Sequence, residues 1–240
     1  MSDNSIQPRT VALGVVVPSF NTTVEDEYAD LRPPHVRHYV SRIRMPDTTL
    51  LTDEEQAQVV VDAVGDLDGA LRAVSRTRPD AIALGISIPA FWEGRAGAER
   101  LRRRCEDAAG CPVATAADAV REALATLPPQ TRLGVVTPYR PEANRRVAAF
   151  VEECGVPVAG VASVEPPRSF DIARVTSARL KDAVRQVATE GATAVLQVGT
   201  NLRTPREVGE WTDAPVFTIN RLVHAMALRL AVATSELTHP

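Results

Sequence analysis

Lysine is almost missing from these 240 residues: Lys181 stands alone among 27 basic side chains. It lies in a polar helical stretch, which argues against a Schiff base or pyridoxal phosphate mechanism, since both require a lysine in the pocket. Cysteine is scarce too, limited to Cys105, Cys111 and Cys154. An odd count without regular spacing excludes a disulfide framework, and no Cys/His group has zinc-ligand spacing, so no metal is expected. Charge of one sign is also lacking. With a net charge of −3 there is no basic stripe, and nucleic acid is excluded as a partner. No apolar run approaches the roughly 20 residues of a membrane helix. Residues 1–8 are polar and lack the apolar core of a signal peptide. The expectation is a disordered leader over residues 1–10 on a cytoplasmic protein.

What is present is a repeat. Leu13-Gly-Val-Val-Val-Pro18 returns as Leu133-Gly-Val-Val-Thr-Pro138, and Ala81-Ile-Ala-Leu-Gly-Ile-Ser87 as Ala194-Val-Leu-Gln-Val-Gly-Thr200. Cys111-Pro-Val-Ala-Thr-Ala116 returns as Ala214-Pro-Val-Phe-Thr-Ile219. Three paired motifs in one order describe two similar halves. Short β-branched runs read as buried parallel strands at 11–18, 81–87, 133–136, 194–198 and 216–219, with an edge-like strand at 36–43, a short strand at 113–115 and a further strand at 156–164. Thr52-Asp-Glu-Glu55 reads as a capping box opening a helix to about residue 76. Helices at 98–109, 118–127, 142–154, 176–190 and 221–233 follow, with Gly155 and Gly191 as left-handed terminators.

Strands alternating with helices predict an α/β protein of two pseudo-symmetric flavodoxin-like halves. Each is a four-stranded parallel sheet flanked by helices. Residues 11–117 with 214–240 form the expected N-terminal half and residues 118–213 the C-terminal half. Ligands of such sheets bind beyond the carboxyl ends of the strands. The repeated motifs are those ends, so the site is expected in the cleft between the halves, with Ser87 and Thr200 at mirrored positions.

Four loops meet there: 18–23, 85–91, 137–139 and 199–204. Their hydroxyls, amides and backbone N–H groups are equipment for holding a carboxylate. Singly, each such residue also suits a cap or a turn. Tyr139 is the group with a titratable proton, an acid and a poor base at its ordinary pKa of about 10. Glu93 and Arg203 lie beside the loops as charges that solvent would hold. His35, His38 and His224 are read as surface or packing residues.

Gly14-Val-Val-Val-Pro-Ser-Phe-Asn-Thr-Thr23, Val136-Thr-Pro-Tyr139 and Gly199-Thr-Asn-Leu-Arg-Thr204 resemble the maleate isomerase and arylmalonate decarboxylase branch of the aspartate/glutamate racemase superfamily. The resemblance runs over residues 11–230. It implies a two-domain pseudo-symmetric fold, no cofactor, a small carboxylate ligand and possible homo-oligomers. For the isomerase type it also implies catalytic cysteines at both mirrored strand ends, and for the decarboxylase type a cysteine at the second end alone. This chain has Ile86 and Gly199 at these positions and so departs from both. By the same resemblance Tyr139 and Ser87 are the catalytic candidates. Ser19, Asn21, Ile86, Ile88, Phe91, Thr137, Gly199, Thr200 and Asn201 are expected to line or bind the substrate. Cys105, Cys111 and Cys154 are expected off-site. Without thiols the feasible chemistry is lyase-like (decarboxylation, elimination or hydration) or double-bond isomerisation. The competing reading is a non-catalytic carboxylate-binding homologue. Gly199→Cys, alone or with Ile86→Cys, is expected to return reactive thiols to the cleft.

Overall fold

The computed structural model describes residues 10–237. The expected leader lies outside the described residues except for Thr10. Val11–Pro18 (β1) is buried along almost its whole length, as a strand covered on both faces must be. It pairs in parallel with Val36–Ile43 (β2) on one side and Ala81–Leu84 (β3) on the other, and β3 pairs with Val113–Ala114 (β4). The second sheet sets Leu133–Thr137 (β5) between Val158–Ser163 (β6) and Ala194–Gln197 (β7), with Val216–Thr218 (β8) beyond β7. The two orders, β2-β1-β3-β4 and β6-β5-β7-β8, are the same. The β1–β3–β4 and β5–β7–β8 pairings also share their register: Leu13 faces Ala81 as Leu133 faces Ala194, and Ile82 faces Val113 as Val195 faces Val216, while the β5–β6 pair carries a register shift at Leu133 and Gly134. The motif repeat is a repeat of hydrogen-bonded neighbours.

Eight helices cover the sheets among the described residues: Thr23–Leu31 (α1), Asp53–Ser75 (α2), Ile88–Phe91 (α3), Gly94–Ala109 (α4), Ala116–Leu124 (α5), Pro141–Glu153 (α6), Ser177–Thr189 (α7) and Ile219–Leu237 (α8). The expected capping box opens α2, with the Thr52 hydroxyl accepting from the Glu55 N–H and the Glu55 carboxylate accepting from the Thr52 N–H. Gly155 and Gly191 follow α6 and α7 with φ of +85° and +90°, the conformation that ends a helix most cheaply at glycine. Alternation along β1 divides the packing. Val15 and Val17 share a core cluster with Val223 and Ala227 of α8, while Val16 belongs to the cluster of Ala63, Leu67 and Leu71 of α2. The α8-side cluster continues into Val135, Val147 and Phe150, so the two halves share one core.

Two helices escape sequence reading. α1 is short, and its apolar stripe of Val24, Tyr28 and Leu31 is diluted by Glu25, Asp26, Glu27 and Asp30. α3 is a single turn. The boundary at 214 also changes, because β8 belongs to the second sheet while α8, directly after it, packs on β1, β3 and β4 of the first. The chain crosses back at the β8–α8 junction. Four buried apolar residues of α8, Ile219, Val223, Ala227 and Ala231, outweigh the proximity of β8 in sequence.

Candidate active site

The carboxyl ends of β1, β3, β5 and β7 converge, and the loops leaving them enclose a cleft of about 40 Å³. Ser87 follows β3 and Tyr139 follows β5, and their hydroxyls lie 2.7 Å apart across the boundary between the halves. Both side chains are buried. Burial pushes the Tyr139 hydroxyl well above the ordinary tyrosine range, and the Ser87 hydrogen bond only partly offsets it. Tyr139 is therefore a neutral donor at any physiological pH.

Around this pair the mirrored strand ends are tied together. The Thr200 hydroxyl donates to the Gly85 carbonyl at 2.8 Å and accepts from the Asn21 amide at 3.2 Å. The Asn201 side chain accepts from the Thr22 N–H at 3.1 Å, and the Thr23 hydroxyl donates to the Asn201 carbonyl at 2.9 Å. Asn21 also caps α1, its side-chain oxygen accepting from the N–H groups of Thr23 and Val24. Much of the side-chain capacity of Asn21, Thr200 and Asn201 is spent joining the halves. Among the described residues, no acceptor faces the backbone N–H of Ser87, Thr200 or Asn201. What these loops hold open to a ligand is backbone.

Asn21, Ile86, Ser87, Ile88, Tyr139, Gly199, Thr200 and Asn201 all line the cleft, as expected. Three expected residues do not. Phe91 turns into the core, where its ring meets Phe150 edge-on at 5.1 Å. The Thr137 hydroxyl accepts from the Tyr139 N–H at 3.1 Å and pairs with Asn144, holding the turn from behind. Ser19 bonds to both the carbonyl and the N–H of Met45 at the surface. Helical periodicity in α3 and local turn bonding in the other two decide these orientations. Arg203 pairs with Asp26 and Glu93 with Arg100, so neither charge enters.

The opposite wall was not foreseen. Leu50, Gln56 and Val59 come from the start of α2 and the segment before it, and Ser169 and Ile172 from the segment after β6. These segments meet across the mouth: Leu50 N–H donates to the Pro167 carbonyl, Ser169 N–H to the Thr48 carbonyl, and Asp47 pairs with Arg168. No motif marks them, because they are distant in sequence and meet only after both sheets have formed. The Ser169 hydroxyl is buried there without a partner. A larger hollow of about 460 Å³ lies elsewhere, over α4, α5 and α6, but its charged Asp118 and Glu99 are already paired with arginines.

The three cysteines stand away from the cleft. Burial pushes Cys105 up to about 12 and Cys111 up to about 11, and it raises Cys154 as well. Gly199 corrects the expectation for an engineered thiol. Its φ is +102°, and a Cβ there would come 2.6 Å from the Pro138 Cδ. The loop is shaped around glycine, so a cysteine there is strained and presses on the Pro138 ring.

Maleate isomerases and arylmalonate decarboxylases resemble this chain in sequence and fold. The chain is 25% identical over 199 residues to maleate isomerase of Alcaligenes faecalis, covering 78% of this chain and 76% of that protein. A Nocardia farcinica maleate cis–trans isomerase variant, solved with a covalently bound succinylcysteine, superposes with a TM-score of 0.80 at 19% identity, over 92% of each chain. A liganded arylmalonate decarboxylase variant gives 0.76 at 23% identity, covering 92% of this chain and 93% of that one. The arylmalonate decarboxylase family profile matches residues 13–218, most of the chain and every strand end described above. The chain belongs to the arylmalonate decarboxylase family.

Proposed function

We propose that the protein is a cofactor-independent lyase acting on a small carboxylic acid, and that decarboxylation of an activated acid such as an arylmalonate suits this cleft best. The Ser87–Tyr139 hydroxyl pair carries the reading. In decarboxylation a C–C bond breaks, carbon dioxide leaves, and the electron pair moves onto the remaining carboxyl group as an enediolate. The carbon then takes a proton from water. The step needs no thiolate and no strong base. It needs hydrogen-bond donors fixed where the negative charge grows.

Tyr139 and the free N–H groups at residues 87, 200 and 201 are such donors. Delivering its own proton would leave a buried tyrosinate, which burial opposes. Its role is therefore donation to an enediolate oxygen rather than the general-acid role expected from sequence, with Ser87 orienting the phenol. Leu50, Val59, Ile86 and Ile172 give the cleft an apolar wall. A departing carboxylate is poorly solvated against such a wall, and neutral carbon dioxide is not. Ile86 and Gly199 occupy the positions where the family resemblance implies thiols, so the covalent addition used for isomerisation has no nucleophile here.

The narrowness of the cleft, about 40 Å³, favours a second reading, a binding protein that has lost catalysis. Incubation with phenylmalonate and with maleate, followed by NMR, separates the two. Phenylacetate formation that is lost in Tyr139→Phe supports the lyase. Binding of either acid without turnover supports the binding protein, and fumarate formation from maleate overturns the thiol-free mechanism.

A further inference from the structure

We infer that Gln197 and the Glu27–Asn220 pair are positioning residues that turn three successive N–H groups, those of Gly199, Thr200 and Asn201, toward the ligand. The inference rests on the carboxylate-binding reading above and specifies how half of that site is built. Gln197, the last residue of β7, points its amide beneath the loop that follows. Its Nε2 donates to the carbonyls of Val198 at 3.0 Å and Gly199 at 3.2 Å. Asn220, in the first turn of α8, donates to the Thr200 carbonyl at 2.9 Å and to the Glu27 carboxylate at 2.8 Å. Glu27 also accepts the Thr204 N–H at 2.8 Å, and the Thr204 hydroxyl holds the Gln197 side-chain oxygen at 2.9 Å. The two supports thus join through Thr204.

A trans peptide unit is planar, so its N–H points opposite to its carbonyl. Carbonyls 198, 199 and 200 are drawn to the buried side, so the N–H groups of Gly199, Thr200 and Asn201 point away from it. All three residues line the cleft, and no acceptor among the described residues takes these N–H groups. Successive N–H groups converging in this way form an anion-binding concavity, and the positive φ of Gly199 is the kind of backbone turn that allows it. The supports are costly by themselves. Gln197 and Asn220 are each about 1% exposed, and burying a carboxamide is unfavourable unless its bonds are used. Burial also raises the Glu27 carboxyl, against the pull of its two donors. Packing alone would be served better by apolar residues at all three positions.

The test uses the full-length, ¹⁵N-labelled protein titrated with phenylacetate, comparing wild type with Gln197→Met, Glu27→Gln and Thr204→Val. In wild type the amides of residues 199, 200 and 201 should shift together with that of Ser87. Gln197→Met and Glu27→Gln should bind about tenfold more weakly, the scale of a lost charge-assisted hydrogen bond. At saturation the Ser87 amide should still respond while the other three respond less. Thr204→Val, at a half-buried position, removes only the link to Gln197 and should weaken binding about threefold. It decides the matter if the other two variants do not fold. Equal affinity and equal shifts in the folded variants would overturn the positioning role and leave the carboxylate reading intact. Response of Ser87 without residues 199–201 in wild type would do the same. Absence of binding by any acid would overturn both.

Discussion

At the end of β3 the chain passes through Gly85, Ile86 and Ser87 directly into α3, and the turn presents an apolar side chain and a hydroxyl to the cleft. At the end of β7 it passes through Val198, Gly199 and Thr200 into a longer loop, and the turn presents backbone. Strand order and register are shared, yet Leu84 of the first half corresponds to Gln197 of the second. Where Leu84 packs against α2, Gln197 holds carbonyls. Of the two mirrored turns, the one after β3 contributes a side chain, Ser87, to the hydroxyl pair with Tyr139, and the one after β7 contributes dipoles. A duplicated scaffold can therefore bring two different functions to one small ligand, because the strand-end residues are free to diverge once the sheet beneath them is secured.

The largest effect that sharpens this contrast is expected from removing the hydroxyl that bridges the halves. Tyr139→Phe should lower kcat on any turned-over acid by about a hundredfold, the cost of losing one oxyanion donor. Urea unfolding should change by only about 1 kcal/mol, since the ring still packs. Ser87→Ala should cost less, about tenfold, because the Ser87 N–H remains. Equal activity of Tyr139→Phe and wild type would remove the hydroxyl pair from the mechanism.

Substitution at the two mirrored positions should divide sharply. Gly199→Cys must adopt φ near +102° and press on Pro138, and about 3 kcal/mol of lost stability is expected from strain and overpacking. Ile86→Cys meets no such constraint and should cost about 1 kcal/mol as a buried large-to-small change. Similar urea midpoints for the two variants would show that the second loop is not built around its glycine.

Acid should act on the fold beneath the first half rather than on the cleft. His38 and His224 face each other at 3.2 Å between β2 and α8, with the Tyr28 ring against both. Burial is the chief cause holding each imidazole down to about 4, helped by Arg32 for His38 and by His38 for His224. Unfolded histidine ionises near 6.5. Between these values the unfolded chain binds more protons, so stability is complete above about pH 6.5 and falls as pH drops toward 4. Thermal melts across that range test it, and His224→Gln should flatten the dependence. The smallest effect concerns thiols. Iodoacetamide should leave ligand binding and any turnover unchanged, because the three cysteines are off the cleft with raised pKa values. Inactivation without unfolding would place a nucleophile where the cleft shows none.

Much of the cleft was legible from sequence because it follows strand ends, and strand ends are marked by where β-branched runs stop. Asn21, Ile86, Ser87, Tyr139, Gly199, Thr200 and Asn201 lie within three residues of such a stop. Phe91 lies further on, and a single helical turn rotated it into the core. The supports behind the loop were invisible, since a glutamine ending a strand and an asparagine opening a helix are ordinary in isolation. Their meaning comes from Glu27, on a helix too short and acidic to be anticipated.

The amino-acid sequence by itself determined the duplicated α/β scaffold, its parallel strands and the mirrored placement of Ser87 and Thr200 on one cleft. Hydrophobic runs and repeated motifs are local properties of the chain, and parallel sheets leave few ways to arrange them. Only the tertiary structure decided which polar groups remain free for a ligand. Hydrogen-bond capacity is shared among every group in reach, so Asn21, Thr200 and Asn201 spend much of their side-chain capacity on one another. Backbone N–H groups, the Ser169 hydroxyl and one buried phenol are left facing the cleft.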